Sequence, residues 1–326
     1  IFKDSNVRLL YKKEEIFPSG FDCLSRTYKL IEDNSSVIAS TLDIDLKKEG
    51  FMGTLFTPKT KTNKAIIVVT GSDGGIENAK TIAKLLAENG FFALAVGYWY
   101  VKGLSYKLSN IPIEYIENAV NWLKKYQNGT IKKIGMYGWS KGTELTLTSA
   151  TLFPDITCVV GVTPSCYIYE GVTWYKFPIR TSSWSYKNRP LPYFHMKGCA
   201  GWNFIKRVWK GRKLLMLYRY DELFTHPIPE EAIIPVEKIH GNVLVLSTTT
   251  DDMWPSEYGA KHIVDRLKAN NFPYEYKHVN FDIASHYLTP VTAWARTQKN
   301  ERKFPELCAK ARKDAFDLTV DWFNKW

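Results

Sequence analysis

IGMYGWSKGTELTL occupies residues 134–147. A short apolar run ends at Tyr137, Gly138 and Gly142 flank Ser140 at a spacing of two, and a helix-like pattern follows. This is the G-x-S-x-G pattern. With Gly and Ser each near 7% of residues, chance supplies on the order of 0.1 matches in a chain of this length, so the pattern needs its context. A buried strand before the serine and a helix after it are that context. On such a turn the serine takes strained backbone angles, and side chains at the flanking positions would collide with the neighbouring strand and helix. The turn lifts Oγ clear of the sheet and points the first N–H groups of the helix at a reacting oxygen.

The surrounding sequence alternates buried strands and helices. VIASTLDIDL (37–46) alternates apolar and polar residues and reads as a half-buried strand; KKEG is a turn, and FMGTLFTP returns as a strand. AIIVVTG (65–71) is a β-branched run expected to be covered on both faces. Residues 76–89 read as a helix stopped by Gly90, and FFALAV (91–96) as the next buried strand. IPIEYIENAVNWLKKY places Ile113, Ile116, Val120 and Leu123 on one helical face. IKKIGMYG is a strand, 141–152 a helix, and ITCVVGV a strand. Later come a strand at 242–247, a helix at 256–270 and a last strand at 274–281. A closing helix over 305–326 carries Leu307, Ala311, Ala315, Leu318 and Trp322 on one face. The alternation predicts a single α/β domain over residues 1–326, its mostly parallel sheet covered by helices on both faces. Residues 1–60 are read as an N-terminal β extension. Residues 164–238 break the pattern and are rich in aromatics and prolines. They are read as a lid-like insertion over the end of the sheet, against the alternative of a small subdomain with its own core.

Composition sets outer bounds. The 326 residues carry a formal net charge of +11, which reads as a basic soluble surface, with attraction to anionic, phosphate-bearing substrates as the functional alternative. No nucleic-acid motif or dense basic arm is present. No apolar run is long enough to span a membrane. The chain begins at Ile1, read as a trimmed start, with no targeting segment visible. Five scattered cysteines (Cys23, Cys158, Cys166, Cys199 and Cys308), with no C-x-x-C, argue against a disulfide scaffold or a structural zinc site and for a reducing, cytoplasmic home. Cys158 is expected to be a buried core residue.

A serine hydroxyl needs a base, and the base needs an orienting acid. In a strand–turn–helix setting the chain order is Ser, acid, His. NVLVLSTTTDDMWPSEYGAKHI offers Asp251 and Asp252 directly after a strand, and YEYKHVNFDIASHYLTP offers His286 after the last one. A tight loop aims only one of two adjacent aspartates inward; the other is expected to be solvated or to cap the next helix. His195, His226, His240, His262 and His278 are read as structural or surface residues. An oxyanion needs two donors. One is the backbone N–H of Lys141. The other is expected from GSDGG, as the N–H of Ser72 or of neighbouring Asp73. The spacing of that loop does not fit a dinucleotide-binding turn, and there is no Walker pattern and no H-E-x-x-H. The chemistry requires no metal and no organic cofactor.

YGWSKGTELTLTSATLFPDITCVVGVTPS resembles the nucleophile region of the acyl-CoA thioesterase and bile acid-CoA:amino acid N-acyltransferase family, in its C-terminal catalytic domain. GTLFTP, TGSDGG, IPIEYIENAVNWL, IPVEKIHGNVLVLS, DDMWPSE and SHYLTP are similar to its successive motifs, in order, over residues 50–326. The resemblance implies an α/β-hydrolase fold. An ungapped match on Trp254 and Ser256 puts the acid at Asp251. Two departures stand out. Only some fifty residues precede GTLFTP, too few for the immunoglobulin-like domain of about 100 residues that mammalian members carry. Residues 164–238 also diverge strongly. The amino-acid-conjugating branch uses a cysteine nucleophile, so Ser140 implies hydrolysis rather than transfer to an amine. The expectation is a serine hydrolase acting on a small-molecule acyl ester or acyl-CoA, first of all an acyl-CoA thioesterase. A carboxylesterase of the dienelactone-hydrolase kind, an acyltransferase and a non-catalytic binding protein are the alternatives.

Overall fold

The computed structural model describes residues 37–173, 178–195 and 228–326. Its centre is an eight-stranded sheet in the order β1-β2-β4-β3-β6-β7-β12-β13. These strands are β1 (Ile38–Ile44), β2 (Met52–Pro58), β3 (Lys64–Val69), β4 (Phe92–Gly97), β6 (Lys133–Trp139), β7 (Ile156–Val162), β12 (Asn242–Thr248) and β13 (Tyr276–Phe281). β1 and β2 run antiparallel to their neighbours, and from β4 to β13 every pairing is parallel. Shorter strands β5 (Ile111–Pro112), β8 (Glu170–Val172), β9 (Pro178–Ser182), β10 (Trp184–Tyr186) and β11 (Arg189–Pro190) form two small sheets. The described helices are α1 (Leu46–Glu49), α2 (Glu77–Glu88), α3 (Glu114–Lys125), α4 (Lys141–Leu152), α5 (Ser256–Ala269), α6 (Lys299–Lys303) and α7 (Pro305–Lys325).

The period-2 alternation of each strand divides the core in two. Ile67, Val69, Leu94, Val96, Met136, Val159 and Val245 face one side, where α3, α4 and α5 pack. Ile66, Val68, Ala93, Ala95, Tyr137, Val160 and Leu246 face the other, where α2 and α7 pack. Cys158 is among this second set and fully buried. Continuous apolar runs are thus explained by burial on both faces.

Three details differ from the sequence reading, and a fourth bears on the alternative reading of residues 164–238. KKEG is not a plain turn: Asp45 caps the single helical turn α1, and Gly50 ends it at φ 73°. β1 is mostly exposed rather than half-buried, because it is an edge strand with one neighbour. On α7 the buried stripe runs through Cys308, Ala311, Ala315, Thr319 and Trp322, while Leu307 is exposed. The aromatics of the 164–238 region do not form a separate cluster in its described parts. Tyr167, Tyr169, Trp184 and Phe194 join the core that covers α3 and α4.

Candidate active site

β6 ends at Trp139 and α4 begins at Lys141, leaving Ser140 to make the turn alone, at φ 57° and ψ −126°. A non-glycine residue held there carries strain of about 1–3 kcal/mol, which its surroundings must offset. They do so with close contacts and hydrogen bonds. A Cβ on Gly138 would lie 2.3 Å from Thr146 Oγ1 and 2.4 Å from the Gly142 carbonyl oxygen. One on Gly142 would lie 2.5 Å from the Thr70 carbonyl oxygen. The backbone N–H of Ser140 donates to Val162 at 2.9 Å, and Thr143 Oγ1 donates to the carbonyls of Gly138 and Val162, both at 3.0 Å. The two glycines therefore permit the approach on which the turn depends.

The Ser140 Oγ lies 2.8 Å from His286 Nε2. His286 Nδ1 lies 3.0 Å from both Oδ1 and Oδ2 of Asp251. A carboxylate only accepts, so the imidazole proton sits on Nδ1 and the Nε2 lone pair faces the serine hydroxyl. Asp251 Oδ1 also accepts from the backbone N–H groups of Met253 and Trp254, at 2.9 and 3.2 Å. All three side chains are nearly closed off from solvent. The arrangement brings together Ser140, Asp251 and His286 from three separate stretches of chain.

Asp252 points elsewhere. It is buried rather than solvated, and it accepts from the backbone N–H of Lys299, at the start of α6 and not of the helix that follows it in sequence. Burial holds its carboxyl above the usual carboxylate value, with the Lys299 N–H opposing. Lys141 opens α4, where helix geometry offers no intrahelical acceptor for the first N–H groups and the dipole favours negative charge. Ser72 lies in the loop after β3, half-buried. Of the remaining histidines, His195 pairs with buried Glu170, His278 meets Ser247 Oγ at 2.7 Å, and His262 faces the Tyr258 carbonyl. His226 lies outside the described residues.

Several neighbours escaped the sequence reading. Trp139 Nε1 donates to the backbone carbonyl of His286, and Trp254 meets the imidazole edge-on with ring centroids 5.7 Å apart. Tyr169 stacks on Trp254 from the region after β7. The Lys141 side chain forms a buried ion pair with Glu144 at 2.8 Å and donates to Ser183 Oγ. Glu144 Oε2 further accepts from Trp184 Nε1 and from the Tyr169 N–H. Burial pushes the Glu144 carboxyl up, against the attraction of Lys141. The available signal was a Lys and a Glu three apart in a helix between two strands that are mostly apolar.

Comparisons with known proteins converge on one family. A family model described as BAAT / acyl-CoA thioester hydrolase C terminal matches residues 111–298. Acyl-coenzyme A thioesterase 1 of Mus musculus is 29% identical over 73% of this chain and 52% of its own length. Acyl-coenzyme A thioesterase 6 of Mus musculus is 27% identical over 95% of this chain and 70% of its own. Acyl-coenzyme A amino acid N-acyltransferase 2 of Mus musculus is 28% identical over 66% of this chain and 47% of its own. The chain thus spans about half the length of two of these three relatives. Among solved structures, a Pyrococcus furiosus esterase is 15% identical, with a TM-score of 0.52 over 88% of this chain and 93% of its own. A dienelactone-hydrolase-like phosphotriesterase from metagenomic libraries is 14% identical, with a TM-score of 0.52 over 89% and 98%. These last likenesses establish the α/β-hydrolase fold.

Proposed function

The chain belongs to the BAAT / acyl-CoA thioester hydrolase C-terminal family, and on that premise we propose that it is a serine hydrolase cleaving acyl esters or thioesters, acyl-CoA foremost. The observation that carries this reading is the unbroken contact series from Ser140 Oγ to His286 Nε2 at 2.8 Å and from His286 Nδ1 to Asp251 at 3.0 Å. Ser140 attacks the acyl carbonyl while His286 takes its proton. Asp251 holds the imidazole in the required tautomer and stabilises the imidazolium. The N–H groups of Lys141 and Ser72 receive the charge that develops on the carbonyl oxygen. His286 then protonates the leaving thiolate or alkoxide. Water, deprotonated by His286, attacks the acyl carbonyl of the ester on Ser140; the Ser140 oxygen leaves, takes the proton back from His286, and the acid is released.

A non-catalytic scaffold is expected to have a broken Ser–His contact, and the 2.8 Å distance speaks against it. A serine nucleophile favours water over an amine as acceptor in this family. A reducing, cytoplasmic setting is part of the proposal, supported by three described cysteines that are all buried and unpaired.

The test is labelling with a fluorophosphonate probe, wild type against Ser140→Ala, followed by turnover of acyl-CoA thioesters and simple esters with and without added amine. Labelling lost in the variant, with thioesters turned over best, is the expected result. Folded wild-type protein that neither labels nor turns over any substrate refutes the reading. Ester turnover with no gain from a CoA leaving group replaces the thioesterase by a carboxylesterase, and amine-dependent product replaces it by an acyltransferase.

A further inference from the structure

The loop after β3 passes directly against the nucleophile. A Cβ on Gly71 would lie 2.8 Å from Ser140 Cβ and 3.2 Å from Ser140 Oγ. The next donor along the chain is the N–H of Ser72. Its direction is fixed by the carbonyl of the same peptide, because C=O and N–H of a trans peptide point opposite ways. That Gly71 carbonyl meets two side-chain donors. It accepts from the Tyr98 hydroxyl at 3.0 Å and from Trp99 Nε1 at 3.3 Å. The Tyr98 hydroxyl has one proton and shares it between this carbonyl and that of Thr70, 2.5 Å away.

Tyr98 and Trp99 are in place because β4 runs parallel beside β3, with Val68 opposite Ala95, so the two chains leave the sheet together. Both side chains are buried, and Tyr98 packs on Trp184 with ring centroids 5.6 Å apart. Burial holds the Tyr98 hydroxyl well above its ordinary pKa, so it stays a protonated donor.

We propose that Tyr98 and Trp99 are positioning residues for the oxyanion hole, turning the Gly71–Ser72 peptide so that its N–H faces the oxygen of the acyl group. The inference rests on the serine hydrolase reading and extends it. Neither side chain touches the reacting atoms. They act by fixing a donor before the charge develops, so that no reorganisation is needed at the moment of reaction. Without them the peptide is free to rotate, and the donor is lost to the transition state more than to the ground state.

The experiment uses Tyr98→Phe, Trp99→Phe and the double variant. Tyr98→Phe keeps the ring against Trp184 and removes only the hydroxyl. Trp99→Phe removes the longer bond and carries the same test if Tyr98→Phe does not fold. The readouts are kcat, KM, the pH profile of kcat, and the inhibition constant of a trifluoromethyl ketone, whose adduct with Ser140 presents an oxyanion. A kcat lower by about 10- to 100-fold in the double variant is expected, with KM and pH midpoint unchanged and inhibitor affinity reduced by the same factor. Unchanged kcat, or a lower kcat with unchanged inhibitor affinity, overturns the inference alone when the wild type labels at Ser140 and is active. A wild type that neither labels nor turns over substrate overturns the hydrolase reading, and this inference with it.

Discussion

The indole Nε1 of Trp139 donates to the backbone carbonyl of His286 across 3.0 Å, so the residue before Ser140 holds the loop that carries His286. Tyr137 adds a second tie on the same strand, its hydroxyl 3.0 Å from Thr289 Oγ1. Two elements 147 residues apart in sequence are thereby fixed to each other. Trp139→Phe leaves the buried carbonyl of His286 without this donor, which costs about 1–3 kcal/mol. Urea denaturation should show that loss. Steady-state kinetics should show a lower kcat at similar KM, because the base is less well held.

The two adjacent aspartates should separate cleanly in a kinetic test. Asp251→Asn keeps the shape but offers the imidazole an amide, and it should lower kcat by about 10⁴. Asp252→Asn should lower it far less, since Asp252 turns to the Lys299 N–H. Equal losses in the two variants would contradict the assignment of Asp251.

Asp252 should also leave a signature in the pH dependence of stability. Its pKa is raised in the folded state, mainly by burial. Stability from such a carboxyl is fully present below its unfolded value, about 3.9. It is lost as pH rises through the folded value. The Tm advantage of wild type over Asp252→Asn should therefore shrink as pH rises from about 4, then level off above the folded value. An advantage that grows with pH over that range would reverse the sign.

The Lys141–Glu144 pair offers a double-mutant cycle. Both side chains are almost fully buried. Removing one partner strands the other charge, at a cost of about 3–5 kcal/mol. Glu144→Leu and Lys141→Met should each be strongly destabilising in denaturant titrations. The double variant should be less destabilised than the sum by at least about 1 kcal/mol. Additive losses would mean that the pair does not act as a unit.

The sequence alone points to the three residues that the candidate site brings together. Ser140 announced itself because a strained turn demands small neighbours at fixed offsets, and that demand is local in sequence. His286 followed from chain order, and the strands around both were marked by apolar runs. The choice between Asp251 and Asp252 was not local. It depends on which carboxylate the loop closes over, and only the family resemblance favoured the first. Glu144 and Trp184 were hidden because their contact joins residues 40 apart. Tyr98 reaches the carbonyls of Thr70 and Gly71 across a strand pairing, 28 and 27 residues away. The α7 stripe was misplaced because Leu307 fits the helical period as well as Cys308 does, and only packing distinguishes them.

The central claim is a covalent acyl intermediate on Ser140. Wild-type protein mixed with an acyl-CoA thioester, acid-quenched within the first turnovers and examined by intact-mass and peptide-mapping spectrometry, tests it directly. The account predicts a mass gain equal to the acyl group, mapped to the peptide containing Ser140 and absent in Ser140→Ala. Thioester hydrolysis that proceeds undiminished in Ser140→Ala, or an acyl adduct mapped to another residue, would contradict it.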